Sequence, residues 1–548
     1  MKAFAAAMML GTGAAAQAAG PVDAAAMSAT VRTLASDDFG GRAPGTPGEE
    51  RTIAYLVGRL KAIGVEPAGD GGGWTQAVPL VRTKVGEGHV ALTVGPDGQM
   101  LPVQGRDIYL NTVRPADRVH VQDAPMVFVG YGVKAPERGW DDYKGVDLHG
   151  KVAVFLINDP DFAAVVGEPV ADRFGGRRET YYGRWTYKYE EAARHGAIAA
   201  LIIHDPEGAG YGWSTVTAPA GENYDIVRGP ADPPRVQLQG WMQEDFARDL
   251  LRHAGLDLAQ LRRDARRADF RPVPIGTARF SADLPVAHEQ VESRNVLAKL
   301  TGTTRPDEAI MFGAHWDAYG VGAPDATLRK VRAGAADDAI GVAGVLELAR
   351  AFKAGPRTRR TLLFALWTGE ERNLLGSETY AAHPPFALEK TVANLTMDVL
   401  QTAGPAKDVV LVGNGQSQLD GLLADAAKAQ GRTITPEALP ERGLYFRADH
   451  FSVARRGVPS LLLMGMSGGH DLVQGGRAAG DAWLANYMKC YHQACDTWSD
   501  KWDLRGAAQD VDLLYAVGRR LADGREWPNW VAGSEFKALR DASGASRR

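Results

Sequence analysis

Residues 309–317 read Ala309-Ile310-Met311-Phe312-Gly313-Ala314-His315-Trp316-Asp317, an apolar run that ends abruptly on a histidine and an aspartate. A run of that length suits a buried strand better than a helix. It is also the first of a series. Downstream, Ala339 to Phe352 carries helical spacing, Thr361 to Trp367 is again strand-like, Leu374 to Ala382 is helical, and Val392 to Asp398, Val409 to Val412 and Leu419 to Gln430 continue the alternation. Strands alternating with helices predict an α/β domain with a mostly parallel, mixed sheet flanked by helices. In open sheets of this kind ligands bind beyond the carboxyl ends of the strands, so the polar residues that follow each apolar run are the ones to inspect. They are His315 and Asp317, Glu370 and Glu371, and Asp398. The loop Gly334-Ala335-Ala336-Asp337-Asp338 adds Asp337 at a helix entrance.

Upstream of this region the pattern changes. Ile53, Leu56, Val57, Leu60 and Ile63 recur at helical spacing, and Gly64 is placed to end that helix. The preceding stretch, Gly40 to Gly48, is a turn-rich loop whose glycines suit positive φ or close backbone approach. From about Val90 to Phe280 short β-like runs, including Met126 to Gly132, Val152 to Ile157 and Ala199 to Ile203, are separated by Gly, Pro and Asp turns, which predicts a separate, mostly β module. The expected organisation is a leader (1–19), an N-terminal segment of the α/β domain (20–85), an inserted module (86–285), the main α/β domain (286–525) and a C-terminal tail (526–548). The leader has one Lys, an Ala/Met/Leu stretch and Ala16-Gln17-Ala18 before Ala19, the pattern of an export signal, so the mature chain is expected in the periplasm or outside the cell.

Composition narrows the possibilities. Of 548 residues, 45% are hydrophobic and 23% charged, which is globular. A net charge of -4 gives no basic stripe of the kind phosphate-backbone binding requires, so nucleic acid is not an expected partner. No apolar run of about 18 residues follows the leader, and no membrane span is expected in the mature chain. The two cysteines, Cys490 and Cys495, flank His492; in an oxidising compartment they can close a small disulfide loop, and otherwise they remain two thiols. Two thiols cannot supply a four-thiolate zinc site, so any zinc would be held by His and carboxylates.

One such residue alone reads as a helix cap or a surface group. Together, His315, Asp337, Glu371, Asp398 and His492 are the nitrogen and oxygen donors that suit zinc in hydrolytic sites. The strings Gly313-Ala314-His315-Trp316-Asp317, Gly334 to Asp338, Thr368-Gly369-Glu370-Glu371, Met397-Asp398 and Tyr491-His492-Gln493-Ala494-Cys495-Asp496 resemble, in order and spacing, those of the M28 aminopeptidases, over roughly residues 286–525. The resemblance implies two zinc ions per chain: Asp337 bridging them, His315 and Asp398 completing one site, Glu371 and His492 the other. It further implies Glu370 as general base, Asp317 as a group that orients a metal-bound imidazole, and Tyr491 as a hydrogen-bond donor to the developing oxyanion. At Ala318 and Ile340 the chain departs from residues common in the family, a histidine and a serine.

The middle module, through Pro125 to Gly132, Trp140 to Lys151 and Ala192 to Ala197, resembles the protease-associated (PA) domain inserted in many such peptidases, which lies over the active-site cleft. Arg184 and Trp185 there are expected to reach substrate. Tyr445 to His450 resembles a loop near the substrate pocket, which implies substrate contacts for Tyr445 and Arg447. The function so implied is that of an exported di-zinc exopeptidase, an aminopeptidase acting on peptides. Two rival readings share the architecture: a glutaminyl-cyclase-type acyltransferase with one zinc, and a non-catalytic transferrin-receptor-type binding protein. The complete ligand set speaks against both.

Overall fold

The structure, a computed structural model, describes residues 20–95, 98–325 and 327–547, so the leader lies outside the described residues. One strand organises it. Val273–Leu300 is 28 residues long and runs through the whole molecule. Its first half pairs antiparallel with Arg118–Phe128 and His89–Val94, and its second half with Thr75–Val85 and Arg360–Trp367. Ile275, Ala278, Phe280, Ala282, Leu284 and Val286 are buried along it at mostly two-residue spacing, as a half-covered strand requires. The boundary expected between residues 285 and 286 falls inside this strand. The polar His288-Glu289-Gln290 is paired in register with Thr83, Arg82 and Val81.

On the carboxyl side of the spine lies the α/β part. Arg360–Trp367, Arg305–His315, Thr391–Met397 and Ser460–Leu463 are adjacent and parallel, with antiparallel neighbours toward the edges. This is the mixed sheet with a parallel centre and flanking helices that the alternation predicts. Ile310, Phe312 and Ala314 face the helices Ile340–Ala354 and Arg505–Asp523. Ala309 and Met311, on the other face, pack with Tyr380, Ala381 and Val453. A strand covered on both faces is apolar throughout, and the first polar side chains it can carry stand at its end.

On the amino side lies the part of the chain expected to be a separate module. Arg118–Phe128, Val152–Leu156, Ala199–Ile203 and Leu238–Met242 are parallel neighbours, and the helices Trp185–Arg194, Glu244–His253 and Leu258–Ala265 accompany them. The module therefore carries helices as well as strands. The C-terminal segment is packed down: Trp530 Nε1 donates to Gly457 O, and the buried Arg540 donates to Thr391 O and Val392 O.

The N-terminal segment braces the far side of the α/β part. Helix Pro47–Ile63 starts at Thr46, whose hydroxyl caps Glu49 N, and ends at Gly64 with φ 83°, as its sequence predicts. In the loop before it, Gly41 has φ 67°, and a Cβ there would come within 2.6 Å of the carbonyl oxygens of Gly320 and Arg332. That close approach seats Arg42, which is fully buried. Its guanidinium donates to Trp316 O (2.7 Å), Leu34 O (2.9 Å), Ala333 O (2.5 Å) and Gly334 O (2.8 Å). Hydrogen bonds to a charged group are worth about 1.5–3 kcal/mol each, and orphaned buried acceptors cost more. Arg42→Met should therefore destabilise the fold by ~3 kcal/mol or more, read as a shift of the denaturation midpoint. A variant within ~0.5 kcal/mol of wild type, the range of neutral surface changes, would mean those carbonyls have other partners.

Candidate functional site

The five candidate donors converge at the carboxyl ends of the parallel strands. His315 is the last residue of Arg305–His315. Its Nδ1 faces Asp317 O at 3.1 Å, and its Nε2 lies 3.1 Å from Asp337 Oδ1, 3.8 Å from Glu370 Oε2 and 4.0 Å from Asp398 Oδ1. A proton on Nδ1, donated to the carbonyl, leaves the Nε2 lone pair turned toward the carboxylates. His492 Nε2 lies 3.3 Å from the other Asp337 oxygen, Oδ2, and 3.3 Å from Glu371 Oε2. Asp337 thus offers one oxygen to each histidine. The donor atoms fall into two groups, His315/Asp337/Asp398 and Asp337/Glu371/His492, with the atoms of each group within 4.8 Å of one another.

Local backbone explains the arrangement. Gly334, at φ 55°, turns the chain into an irregular segment, Ala335–Ala339, in which the Asp337–Asp338 peptide is cis. Asp496 holds this segment from across the cleft: its carboxylate accepts from Ala336 N (3.0 Å) and Asp337 N (3.1 Å). Asp338 ties three pieces together by accepting from His315 N, Gly341 N and Val399 N. After Arg360–Trp367, Gly369 at φ 60° opens a tight turn of Glu370, Glu371 and Arg372. Glu370 N donates to Asp317 Oδ1 at 3.1 Å, so Glu370 faces His315 while Glu371 faces His492. His492 itself has φ 61°, a left-handed conformation that a bulky residue seldom adopts. It sits in a loop closed by a bond between Cys490 and Cys495, whose Cα atoms are 5.2 Å apart.

The electrostatics suit a cation. Burial, opposed by His315 and reinforced by Asp398, Asp449 and Glu371, pushes the Glu370 carboxyl well above its ordinary range. Burial and the Asp337 charge do the same to Glu371, and raise Asp398 to about 8. Asp337 is equally buried, yet the two histidines hold it below the usual carboxylate range. Clustered, desolvated carboxylates repel one another at this cost unless positive charge is supplied. Imidazole and carboxylate donors at this spacing are what zinc takes, so the residues fit the metal that the sequence implies.

The remaining expected residues are distributed unevenly. Asp317 is fully buried, and its Oδ2 has no hydrogen-bond partner among the described residues. Tyr491 stacks on His492 with ring centroids 3.6 Å apart. Tyr491, Arg184, Trp185 and Arg447 line one cleft together with Asp337, Glu370, Glu371, Asp398 and His492. Tyr445 does not line it. Its ring is 3% exposed, packs edge-on against His450 at 4.6 Å and sends its hydroxyl to Ser460 O; it is a packing residue. Sequence reasoning missed Asp338, the backbone role of Asp496, Arg42, and Asp449, a buried carboxyl that burial, against the pull of His315, raises to about 7. It missed Tyr319 as well, whose hydroxyl lies 3.0 Å from His492 Nδ1.

The chain is similar to several known proteins. Residues 295–516 match the profile of peptidase family M28. Aminopeptidase NAALADL1 of Mus musculus is 24% identical over 439 residues, 69% of this chain and 53% of that protein. A vacuolar membrane protease of Saccharomyces cerevisiae is 36% identical over 104 residues, 19% of this chain and 10% of its own length. The chain thus spans about half the length of the mouse relative and a tenth of the yeast one. Among solved structures, an aminopeptidase from Aneurinibacillus sp. strain AM-1 aligns with a TM-score of 0.49 at 21% identity, over 92% of this chain and 96% of that one. BSAP, a zinc aminopeptidase from Bacillus subtilis, aligns with a TM-score of 0.43 at 17% identity, over 94% and 98%.

The disulfide loop generates a test. In the native chain an alkylating reagent should label neither Cys490 nor Cys495 until reductant is added, and reduction should let a chelator strip bound cation faster, because the loop that presents His492 loosens. Two labelled thiols in native protein, or stripping indifferent to reduction, contradicts this.

Proposed function

We propose that this chain, whose residues 295–516 belong to peptidase family M28, is an exported metallo-exopeptidase that holds two zinc ions and removes residues from the amino end of peptides. The observation that carries the reading is Asp337, with one oxygen toward His315 and the other toward His492. His315, Asp337 and Asp398 would hold one cation, and Asp337, Glu371 and His492 the other. A cation pair so held polarises a carbonyl and lowers the pKa of water.

Everything else is done by the protein. Glu370 has its backbone N–H fixed on Asp317 and its carboxyl in the cleft, so it takes a proton from the attacking water and returns it to the leaving amine. Burial raises this carboxyl, which makes its ionised form a stronger acceptor for the water's proton. Asp317 acts through its neighbours: it orients His315 from the Nδ1 side and Glu370 from the backbone side. Tyr491, beside His492 in the cleft, is placed to donate to the oxygen that gains charge.

Residues 86–285 are read as a PA-type insert that narrows access to the site. In support, Arg184, Trp185, Tyr224 and Arg228 of that module line the same cleft as the donors. Arg184, Trp185 and Arg447 are proposed to contact the substrate. The leader pattern of residues 1–19 supports export.

The two adjacent glutamates should fail differently. Glu370→Gln removes the base but no donor, so it should keep its cations and its KM while kcat falls by roughly 10²- to 10⁴-fold on an aminoacyl substrate. Glu371→Gln should instead weaken cation retention, and added zinc should restore part of its activity. If Glu370→Gln lost cation while Glu371→Gln kept both cations and most activity, the two roles would be reversed.

A further inference from the structure

Tyr319 stands two residues beyond Asp317, just before the short hairpin strand Gly320–Val321. No motif singles it out, yet it touches His492 and lines the cleft beside Glu371, the two side chains that belong only to the second donor group. Its hydroxyl is 3.0 Å from His492 Nδ1 and its ring centroid 4.5 Å from the imidazole. Glu371 lines the same cleft, and its charge acts on the Tyr319 phenol. A phenol has one proton to give and lone pairs to accept with, and a carboxylate only accepts. With its proton turned toward that carboxylate, the phenol accepts from His492 Nδ1–H. A proton committed to Nδ1 leaves the Nε2 lone pair facing Asp337 Oδ2 and Glu371 Oε2, each 3.3 Å away.

The two histidines differ in how much they need such help. His315 ends a buried strand, its side chain is 1% exposed, and its Nδ1 rests on a backbone carbonyl. His492 is on a loop, at φ 61°, with its side chain 30% exposed. Tyr491 packs on its ring, but among the described residues Tyr319 supplies the hydrogen bond that sets its tautomer. Tyr319 is itself braced. The Arg372 guanidinium lies 5.1 Å from its ring centroid and 5.0 Å from that of Tyr224. Tyr224 belongs to the strand Glu222–Ile226, which pairs with Thr75–Val85. The stack Tyr224, Arg372, Tyr319, His492 thus runs from the inserted module to the donor group, and cation–π contacts of this kind are worth most when partly desolvated.

We infer that Tyr319 is a positioning residue that holds His492 and Glu371 as a pair, so that its hydroxyl sets the affinity of one cation and leaves the other untouched. The inference rests on the two-cation reading above. Partners of a metal-bound imidazole are worth about 10- to 100-fold in affinity. Calorimetric titration of the chelator-stripped full chain with zinc should therefore show two binding events in wild type. In Tyr319→Phe one event should weaken by that factor while the other is unchanged. The phenyl ring keeps the stack on Arg372, so the stripped variant should melt where wild type does.

Should that variant fail to fold, Arg372→Met, which removes only the cation beneath the ring, should weaken the same single event. Two events of wild-type affinity in Tyr319→Phe, or two that weaken together, would overturn the inference with the two-cation reading intact. A wild type that binds fewer than two zinc ions would overturn both.

Discussion

The structure depends on keeping one buried carboxylate ionised and fixed. Asp337 is 4% exposed and sits between two histidines. An unpaired charge there would cost several kcal/mol. Two things offset that cost, the imidazoles and Arg42, and an anchor on Asp496 fixes the position. The imidazoles hold the carboxyl below its usual range. Its backbone N–H and that of Ala336 are anchored on Asp496. The Arg42 guanidinium supplies positive charge near Asp317, Asp496, Asp338 and Asp337, although burial lowers its own pKa to about 10. Arg42 spends its donors on carbonyls, not carboxylates, so its charge acts on the whole acidic cluster at longer range.

The same logic explains the division of labour in the fold. Strands buried on both faces have no place for polar side chains except at their ends, and parallel strands bring those ends to one edge. His315, Glu370, Glu371 and Asp398 arrive there from three neighbouring strands. His492 arrives from a loop far along the chain, and it is the donor that needs extra support: a closed cysteine loop, two tyrosines and an uncommon φ. The spine strand Val273–Leu300 then fixes where the inserted module sits, since one unbroken strand serves both sheets. The module's Arg184, Tyr224 and Arg228 face the cleft as a result.

Much of this is legible in the sequence, and the parts that are not share a cause. His315, Glu371 and Asp398 are visible because each follows an apolar run, a local pattern, whereas Asp337 and His492 are legible through their likeness to family motifs. The helix Pro47–Ile63 is visible because its cap, its proline and its terminal glycine are local too. Arg42, Asp338 and Asp496 act through hydrogen bonds to backbone groups, several of them more than a hundred residues away, and no spacing encodes those contacts. Tyr319 reads as one more aromatic beside a motif until His492 is folded against it. Tyr445 shows the converse: a likeness to a pocket loop says where the backbone goes, and the packing against His450 then turns the ring inward. The boundary expected at residues 285 and 286 falls inside a strand, because backbone pairing carries Val273–Leu300 straight through it.

The central claim is that the carboxylate of Asp337 is shared by two cations. Anomalous diffraction at the zinc edge, on crystals of protein purified without chelator, tests it most directly. The account predicts two peaks per chain, one beside His315 and Asp398 and one beside Glu371 and His492, with Asp337 between them. A single peak at full occupancy after soaking with excess zinc, or two peaks that do not share Asp337, would contradict it.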